Sequence, residues 1–301
     1  MQIICVSRGT YSGGKDLSEK LASKLGYDCI AREELTDAAS VAGIPVGKLE
    51  MAMVRRRPLS ESLAIERERF KAFVTATICE RALESSLVYH GRIGQFVLPG
   101  VSHILRVRAI MDDDGRTAAT MARLGLEREK ARKFNKQVDD DVRRWVRVMY
   151  NVDWDNPAYY DMVVNFSHLN VDNAAAGLVT MAQMPEFQAT PASHQVLIDL
   201  DLASRSRLAL GADGRTHDMD VQVRAERGRV SATYRPQDER SAQLIPDILQ
   251  TLDGVNEVVC TMATTNLLWI QERFEAGSES LGQVLEIAGK WNAAVFITTM
   301  F

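Results

Sequence analysis

The sequence predicts an α/β protein: a parallel sheet covered by helices, followed by a smaller α+β domain of α-β-β-α-β order. Three observations carry this. A short apolar run near the start feeds a glycine-rich loop and then a helix-spaced stretch. Buried-looking strands alternate with helical segments as far as about residue 182. Beyond about residue 193 the pattern changes, and a period-two hairpin appears. At roughly 100–200 residues per domain, the 301 residues suit two domains.

The first strand is Gln2 to Val6, a short run that is apolar after Gln2, as a strand buried on both faces should be. The loop Ser7 to Lys15 follows. A helix then carries Leu17, Leu21, Ala22 and Leu25 on one face, and Gly26 closes it. Helices are expected at about 33–43 and 60–86, with Arg55-Arg56-Arg57-Pro58 as a basic surface turn between them. Strands are expected at Leu87–His90, Ile104–Ala109 and Asp161–Asn165. One charged helix spans about 115–148, and another helix opens at Val171.

The stretch 185–192 holds two prolines and no helical period, so it reads as a linker between a front domain, 1–184, and a back domain, 193–263. The back domain opens with a helix at 198–211. Met219–Ala225 and Arg229–Tyr234 then alternate around an Arg227-Gly228 turn. A helix at 237–251 and a strand at 256–262 complete the unit. An extension, 264–301, adds a helix near 279–290 and an apolar strand, 293–298.

Composition narrows the function. Thirty-six Lys and Arg against 40 Asp and Glu give a net charge of -4, which disfavours a nucleic-acid binder. No apolar run reaches the roughly 18 residues of a membrane span. The opening MQIICVSRGTYSGGKD lacks the pattern of a signal peptide, so the expectation is a cytoplasmic protein. None of the four cysteines has CxxC spacing for zinc, and Cys5, Cys79 and Cys260, among apolar neighbours, read as buried thiols.

The chemistry lies in Gly9-Thr10-Tyr11-Ser12-Gly13-Gly14-Lys15, which matches GxxxxGK. Glycines let successive backbone N–H groups turn toward an anion, and the following helix aims its positive end at it. Lys15 supplies a cation for the β- and γ-phosphates of ATP. Asp16 stands where the motif has the Ser or Thr that ligates Mg²⁺. Its carboxylate is the candidate metal ligand, although it adds negative charge beside polyphosphate, and Ser18 is out of register.

Ser7-Arg8-Gly9 through Gly26-Tyr27, with Arg32-Glu33-Glu34-Leu35, resembles the opening of the cytidylate kinase-like family. Gly91-Arg92-Ile93-Gly94 with Pro99 resembles the family's second landmark. Asp140-Asp141-Val142-Arg143 resembles its lid motif, and Asn151 to Pro157 with Tyr160 to Asn165 resembles its closing signature. The resemblance covers about residues 1–182. It implies a nucleoside monophosphate kinase fold with a core, an acceptor-binding insertion and a lid. By that resemblance Arg32 and Arg92 face the acceptor, Arg143 reaches the phosphates when the lid closes, and Asp140 accompanies it; Lys15, Arg92 and Arg143 would carry catalysis. Arg116 and Arg132 are further lid candidates that no motif fixes. Arg32 and Arg143 also suit plain salt bridges, and Trp154, Asp161 and Asn165 suit structural roles. Ile93 replaces an Asp that helps recognise the acceptor, so cytidine preference does not carry over.

Residues 193–263 resemble a BON domain through Gly228-Arg229-Val230 and Gly254-Val255 with Val258. That resemblance implies a module that binds a ligand or protein partner. The expected function is ATP-dependent phosphorylation of a nucleotide or small acceptor under a regulatory module. The alternative is a nucleotide sensor with little or no kinase activity.

Overall fold

The computed structural model describes residues 1–54 and 59–263. The basic turn at 55–58 and the helix and strand expected at 279–290 and 293–298 lie outside the described residues. The front part begins with β1 (Ile3–Arg8), α1 (Gly14–Leu25) and β2 (Asp28–Ala31). The helices α2 (Arg32–Val41), α3 (Val46–Val54) and α4 (Glu61–Glu84) follow. Next come β3 (Leu87–Gly91), the short α5 (Gly94–Val97), β4 (Ile104–Ile110), α6 (Asp113–Leu124) and α7 (Arg128–Tyr150). The last elements of this part are β5 (Met162–Asn165) and α8 (Val171–Ala182).

The five strands pair in parallel in the order β2-β3-β1-β4-β5. Parallel strands need helices on both faces, and the apolar residues divide accordingly. Ile3 and Cys5 point into a core shared with Leu35 of α2, Leu49 of α3, Phe70 and Ile78 of α4, and Trp145 of α7. Ile4 and Val6 point into a second core with Leu17 and Leu21 of α1 and Leu178 of α8. β1 lies where the strand order reverses, so the loop after it opens into the crevice at the carboxyl ends of the strands, where such sheets bind ligands.

The back part starts with α9 (Pro191–Ala212). It continues with β6 (Val221–Glu226), β7 (Arg229–Tyr234), α10 (Glu239–Ala242), α11 (Ile245–Leu249) and β8 (Glu257–Met262). β6 and β7 form the expected antiparallel hairpin. Its turn places Arg227 at φ 49° and Gly228 at φ 85°, the two left-handed residues a tight twisted hairpin needs. β8 joins β7 in parallel, giving a separate three-stranded sheet and the α-β-β-α-β order.

Several boundaries differ from expectation. β2 is a short strand that sequence reading passed over, as are α3 and α5. The charged stretch at 115–148 is two helices, because Gly125 takes the left-handed conformation (φ 64°) and caps α6. The helix expected at 237–251 is two short pieces, α10 and α11. The prolines at 185 and 191 do not mark an irregular tether. Pro185 opens a 3₁₀ turn, and Pro191 occupies the first position of α9, where its missing N–H costs nothing. Thr190 caps α9 by accepting from the Ser193 N–H at 3.1 Å. The helix expected at 198–211 therefore starts seven residues earlier, at 191. It packs along α4: Leu197 enters the front core, while Leu202 and Leu210 belong to the back core. Arg235, at the end of β7, donates to Glu61 at the start of α4 over 2.7 Å. Cys5 and Cys79 are buried, but Cys260 is exposed, because β8 is the edge strand of its sheet.

Candidate active site

The loop Gly9–Gly14 turns tightly from β1 into α1. Gly13 sits at φ 78° as the N-cap of α1, with Phe166 packed where a side chain would stand. Gly14 has no room at all: a Cβ there would lie 2.5 Å from the Cβ of Arg8 and 3.0 Å from that of Ala109. The Ser12 hydroxyl donates to the Gly9 carbonyl at 2.9 Å and closes the loop from within. Tyr11, at φ 53°, projects its ring beneath the Arg123 guanidinium, 5.5 Å away. The loop's N–H groups and the start of a twelve-residue helix thus face one small volume, suited to an anion.

Lys15 is exposed on the first turn of α1, its Nζ 3.6 Å from the Glu19 carboxylate. Asp16 is exposed beside it and bonds to no other side chain among the described residues. The Ser18 hydroxyl donates to the Gly14 carbonyl at 2.7 Å and is already engaged.

Two groups of arginines flank this loop. One stands at the ends of β1, β2 and β3. Arg8 donates through Nε to His90 Nδ1 at 3.1 Å and through Nη2 to both oxygens of Glu33. Arg32 donates to Glu50 of α3 at 2.5 Å and lies 5.9 Å from the centre of the Trp145 ring. Arg92 forms no ion pair among the described residues. Burial, and then the charge of Arg32, push its pKa down to about 10. Burial and Arg8 also hold His90 below the usual histidine range.

The second group stands on β4, α6 and α7. Arg108 is buried, with its guanidinium 3.4 Å from the centre of the Trp154 ring. It donates to the Ser7 hydroxyl at 3.2 Å and to Asp155 at 3.3 Å. Arg116 grips Asp139 with two bonds of 2.8 Å and donates to the Thr10 carbonyl of the loop at 3.0 Å. Arg143 donates to Asp155 at 2.5 Å and to Asp140 at 3.1 Å, and the Asp155 bond raises its pKa. A cleft of about 160 Å³ lies among Gly9, Ser12, Arg108, Arg116, Arg143 and Asp155. Trp154 ties the two sides together: its Nε1–H donates to Ser7 Oγ at 2.9 Å and to the Arg92 carbonyl at 3.1 Å.

The structure therefore brings Gly9–Asp16, Arg32, Arg92, Asp140 and Arg143 to one end of the sheet. Arg132 stays apart, exposed on α7 near Glu129. Ile93 is buried in the core. Asp161 accepts from the Arg106 backbone N–H and Asn165 from Ser167, both structural bonds at the ends of β5. Arg8, Arg108, Asp139 and Asp155 were missed from sequence. For Arg108 a signal existed: a charge inside the apolar run Ile104 to Ile110.

The cytidylate kinase-like family matches residues 3–168 of this chain. The chain belongs to that family. No curated protein matches it. Among solved structures, an uncharacterized protein from Eubacterium ventriosum is 19% identical, with 60% of this chain and 98% of that one covered at a TM-score of 0.47. A thymidylate kinase from Candida albicans is 12% identical, with 60% and 90% covered at 0.37. A shikimate kinase from Acinetobacter baumannii is 12% identical, with 60% and 92% covered at 0.35. Membership gives the front part a kinase-like, nucleotide-binding fold, whose general chemistry is phosphoryl transfer. Among the described residues, no helix is long and apolar enough to cross a membrane.

The family's use of a nucleotide and a divalent metal can be weighed against the residues present. The glycine loop fits a polyphosphate. Among the described residues near the loop, the carboxylate free for Mg²⁺ is that of Asp16, since Asp139, Asp140 and Asp155 are held by basic side chains. One carboxylate with water and the nucleotide's own phosphates is an ordinary Mg²⁺ environment.

Proposed function

We propose that the chain transfers the terminal phosphoryl group of ATP to a nucleoside monophosphate of the cytidylate type, or to a related small acceptor. The observation that carries this is the closed glycine loop between β1 and α1, at the point of strand-order reversal, with arginines on both sides. In this reading the N–H groups of Gly9 to Gly14 and the Lys15 ammonium hold the polyphosphate. Arg32 and Arg92 hold the anionic acceptor. Arg143, positioned by Asp140, neutralises charge on the moving group. An acceptor oxygen bonds to the γ-phosphorus as the β–γ bridging bond breaks, and the electron pair leaves on ADP. Such transfer needs placement and positive charge rather than a protein nucleophile. Mg²⁺, held at Asp16, supplies further neutralisation of the phosphates when bound.

Asp16 and Ile93 favour a second reading, a nucleotide sensor with little or no turnover. A coupled ATPase assay across the monophosphates, with and without Mg²⁺, separates the two. The kinase reading expects acceptor-dependent ADP release. It also expects Lys15→Ala to weaken ATP binding by about tenfold or more, as loss of a charge-assisted contact implies. ATP binding without turnover, in both the native protein and Asp16→Ser, makes it a sensor. ATP binding unaffected by Lys15→Ala removes the phosphate-loop assignment.

A cytoplasmic enzyme with a BON-like regulatory region at 193–263 belongs to the same proposal, as does a domain division at 185–192. Protease should cut in 185–192 and leave a front fragment that binds ATP but melts lower, because Leu197 leaves its core. A front fragment that loses ATP binding overturns the division.

A further inference from the structure

Asp155 occupies an unusual position. It follows the lid helix, on the turn that leads to β5, and its two oxygens face different elements. Oδ1 accepts from Arg108 of β4 at 3.3 Å, and Oδ2 accepts from Arg143 of α7 at 2.5 Å. All three side chains line the cleft that Gly9 and Ser12 of the phosphate loop also line. One carboxylate thus draws together two guanidinium groups from separate elements, beside a loop built for anions.

Neither arginine depends on Asp155 alone. Arg108 keeps the Ser7 hydroxyl and the face of Trp154, and Arg143 keeps Asp140. Asp155 itself is 41% exposed on a turn, so its carboxylate has solvent to move into. Arg116 and Asp139 differ. They are 11% and 14% exposed and joined by two parallel bonds, so parting them strands a buried charge. A phosphate oxygen accepts from guanidinium groups in the same geometry as a carboxylate, with more charge and more acceptor oxygens.

We infer that Asp155 stands in for a substrate phosphate: it holds Arg108 and Arg143 together in the cleft, and an entering phosphoryl group takes its place between them. This rests on the reading of Gly9–Lys15 as a polyphosphate loop. It adds Arg108 as a phosphate ligand and gives Asp155 an autoinhibitory role. Displacement of Asp155 frees its negative charge to water and leaves both guanidinium groups on the phosphate.

The test is ATP binding to the full chain, by calorimetry, for the native protein, Asp155→Asn, Asp155→Ser and Asp141→Asn. Asp141 lies on the same lid helix but pairs with Arg144, so its variant makes the same charge change away from this contact. Removing the competing carboxylate should tighten ATP binding by about fivefold, the scale of a partly exposed ion pair. Asp141→Asn should leave it within about twofold. Unchanged or weaker binding in both Asp155 variants overturns the proposal, as does an equal gain in Asp141→Asn, which would be a general charge effect. No ATP binding by the native protein instead overturns the polyphosphate-loop reading. Should both Asp155 variants misfold, the Arg143 Nε–H resonance of the native protein decides: it should shift on ATP addition, and an unmoved resonance at saturating ATP refutes the exchange.

Discussion

The two sides of β1 differ in whether every arginine has a carboxylate. On the β4 and lid side every guanidinium that lines the cleft has a carboxylate: Arg108 and Arg143 share Asp155, and Arg116 has Asp139. On the β2 and β3 side Arg8 has Glu33 and Arg32 has Glu50, but Arg92, half-buried beside Arg32, has none among the described residues. A half-buried cation without a partner carries part of the cost of desolvation and so is ready for an anion. The paired side is neutral at rest and has to exchange partners before it binds one. In the proposed reaction these are the acceptor side and the transfer side. The contrast suits an enzyme that admits its acceptor to a waiting charge but grips the moving group only after exchange.

The largest effect expected from this contrast is in stability. Arg116→Met leaves the largely covered Asp139 without its partner, and should destabilise the fold by about 3 kcal/mol, the low end for breaking a buried pair, in chemical denaturation. Arg92→Met removes a half-buried charge that has no carboxylate partner among the described residues, so it should leave stability unchanged or raise it slightly. The cost of Arg92→Met should appear in function, as a KM for the acceptor raised by about tenfold with ATP affinity kept. Equal destabilisation by both variants would mean that Arg92 is as well compensated as Arg116, and the contrast would collapse.

Sequence carried the local half of this site and little of the rest. The strand, loop and helix from Ile3 to Gly26 were legible because each signal lies within a few residues of the next: an apolar run, glycines at fixed spacing, then a helical period with a glycine stop. Arg108 was read only as part of a strand. Its role depends on the register that sets it beside Ser7 of β1, and on a tryptophan 46 positions further on, neither of which is local. Asp155 was passed over for the same reason, since its partners come from β4 and α7. The prolines near 190 hid the start of α9 for another reason. Proline breaks a helix inside but starts one well, and the Thr190 cap decided between these. β2 was lost because four residues, of which only Ile30 is buried, give too short a pattern.

The smallest effect expected is a pH dependence on the acceptor side. His90 is buried, accepts a bond from Arg8 through Nδ1, and titrates below the ordinary histidine value of about 6.5 because burial and the Arg8 charge disfavour its protonated form. Glu33, Glu19 and Lys15 are the other charges acting on it, the two carboxylates opposing the shift. The unfolded chain takes up a proton near pH 6.5, whereas the folded protein resists until lower pH. Stability contributed by neutral His90 is therefore present above that value and lost as pH falls toward the folded pKa. The melting temperature should decline as pH is lowered below about 6.5. His90→Gln, which keeps an acceptor for Arg8 but cannot titrate, should make that decline shallower. His103 is also depressed by burial but faces Ser193 at the foot of β4, far along the sheet from this site, so His103→Gln should flatten the decline independently and additively. If His90→Gln leaves the slope untouched while His103→Gln removes it, the proton uptake belongs to the base of the sheet, and the charge balance around Arg8 does not change over this range.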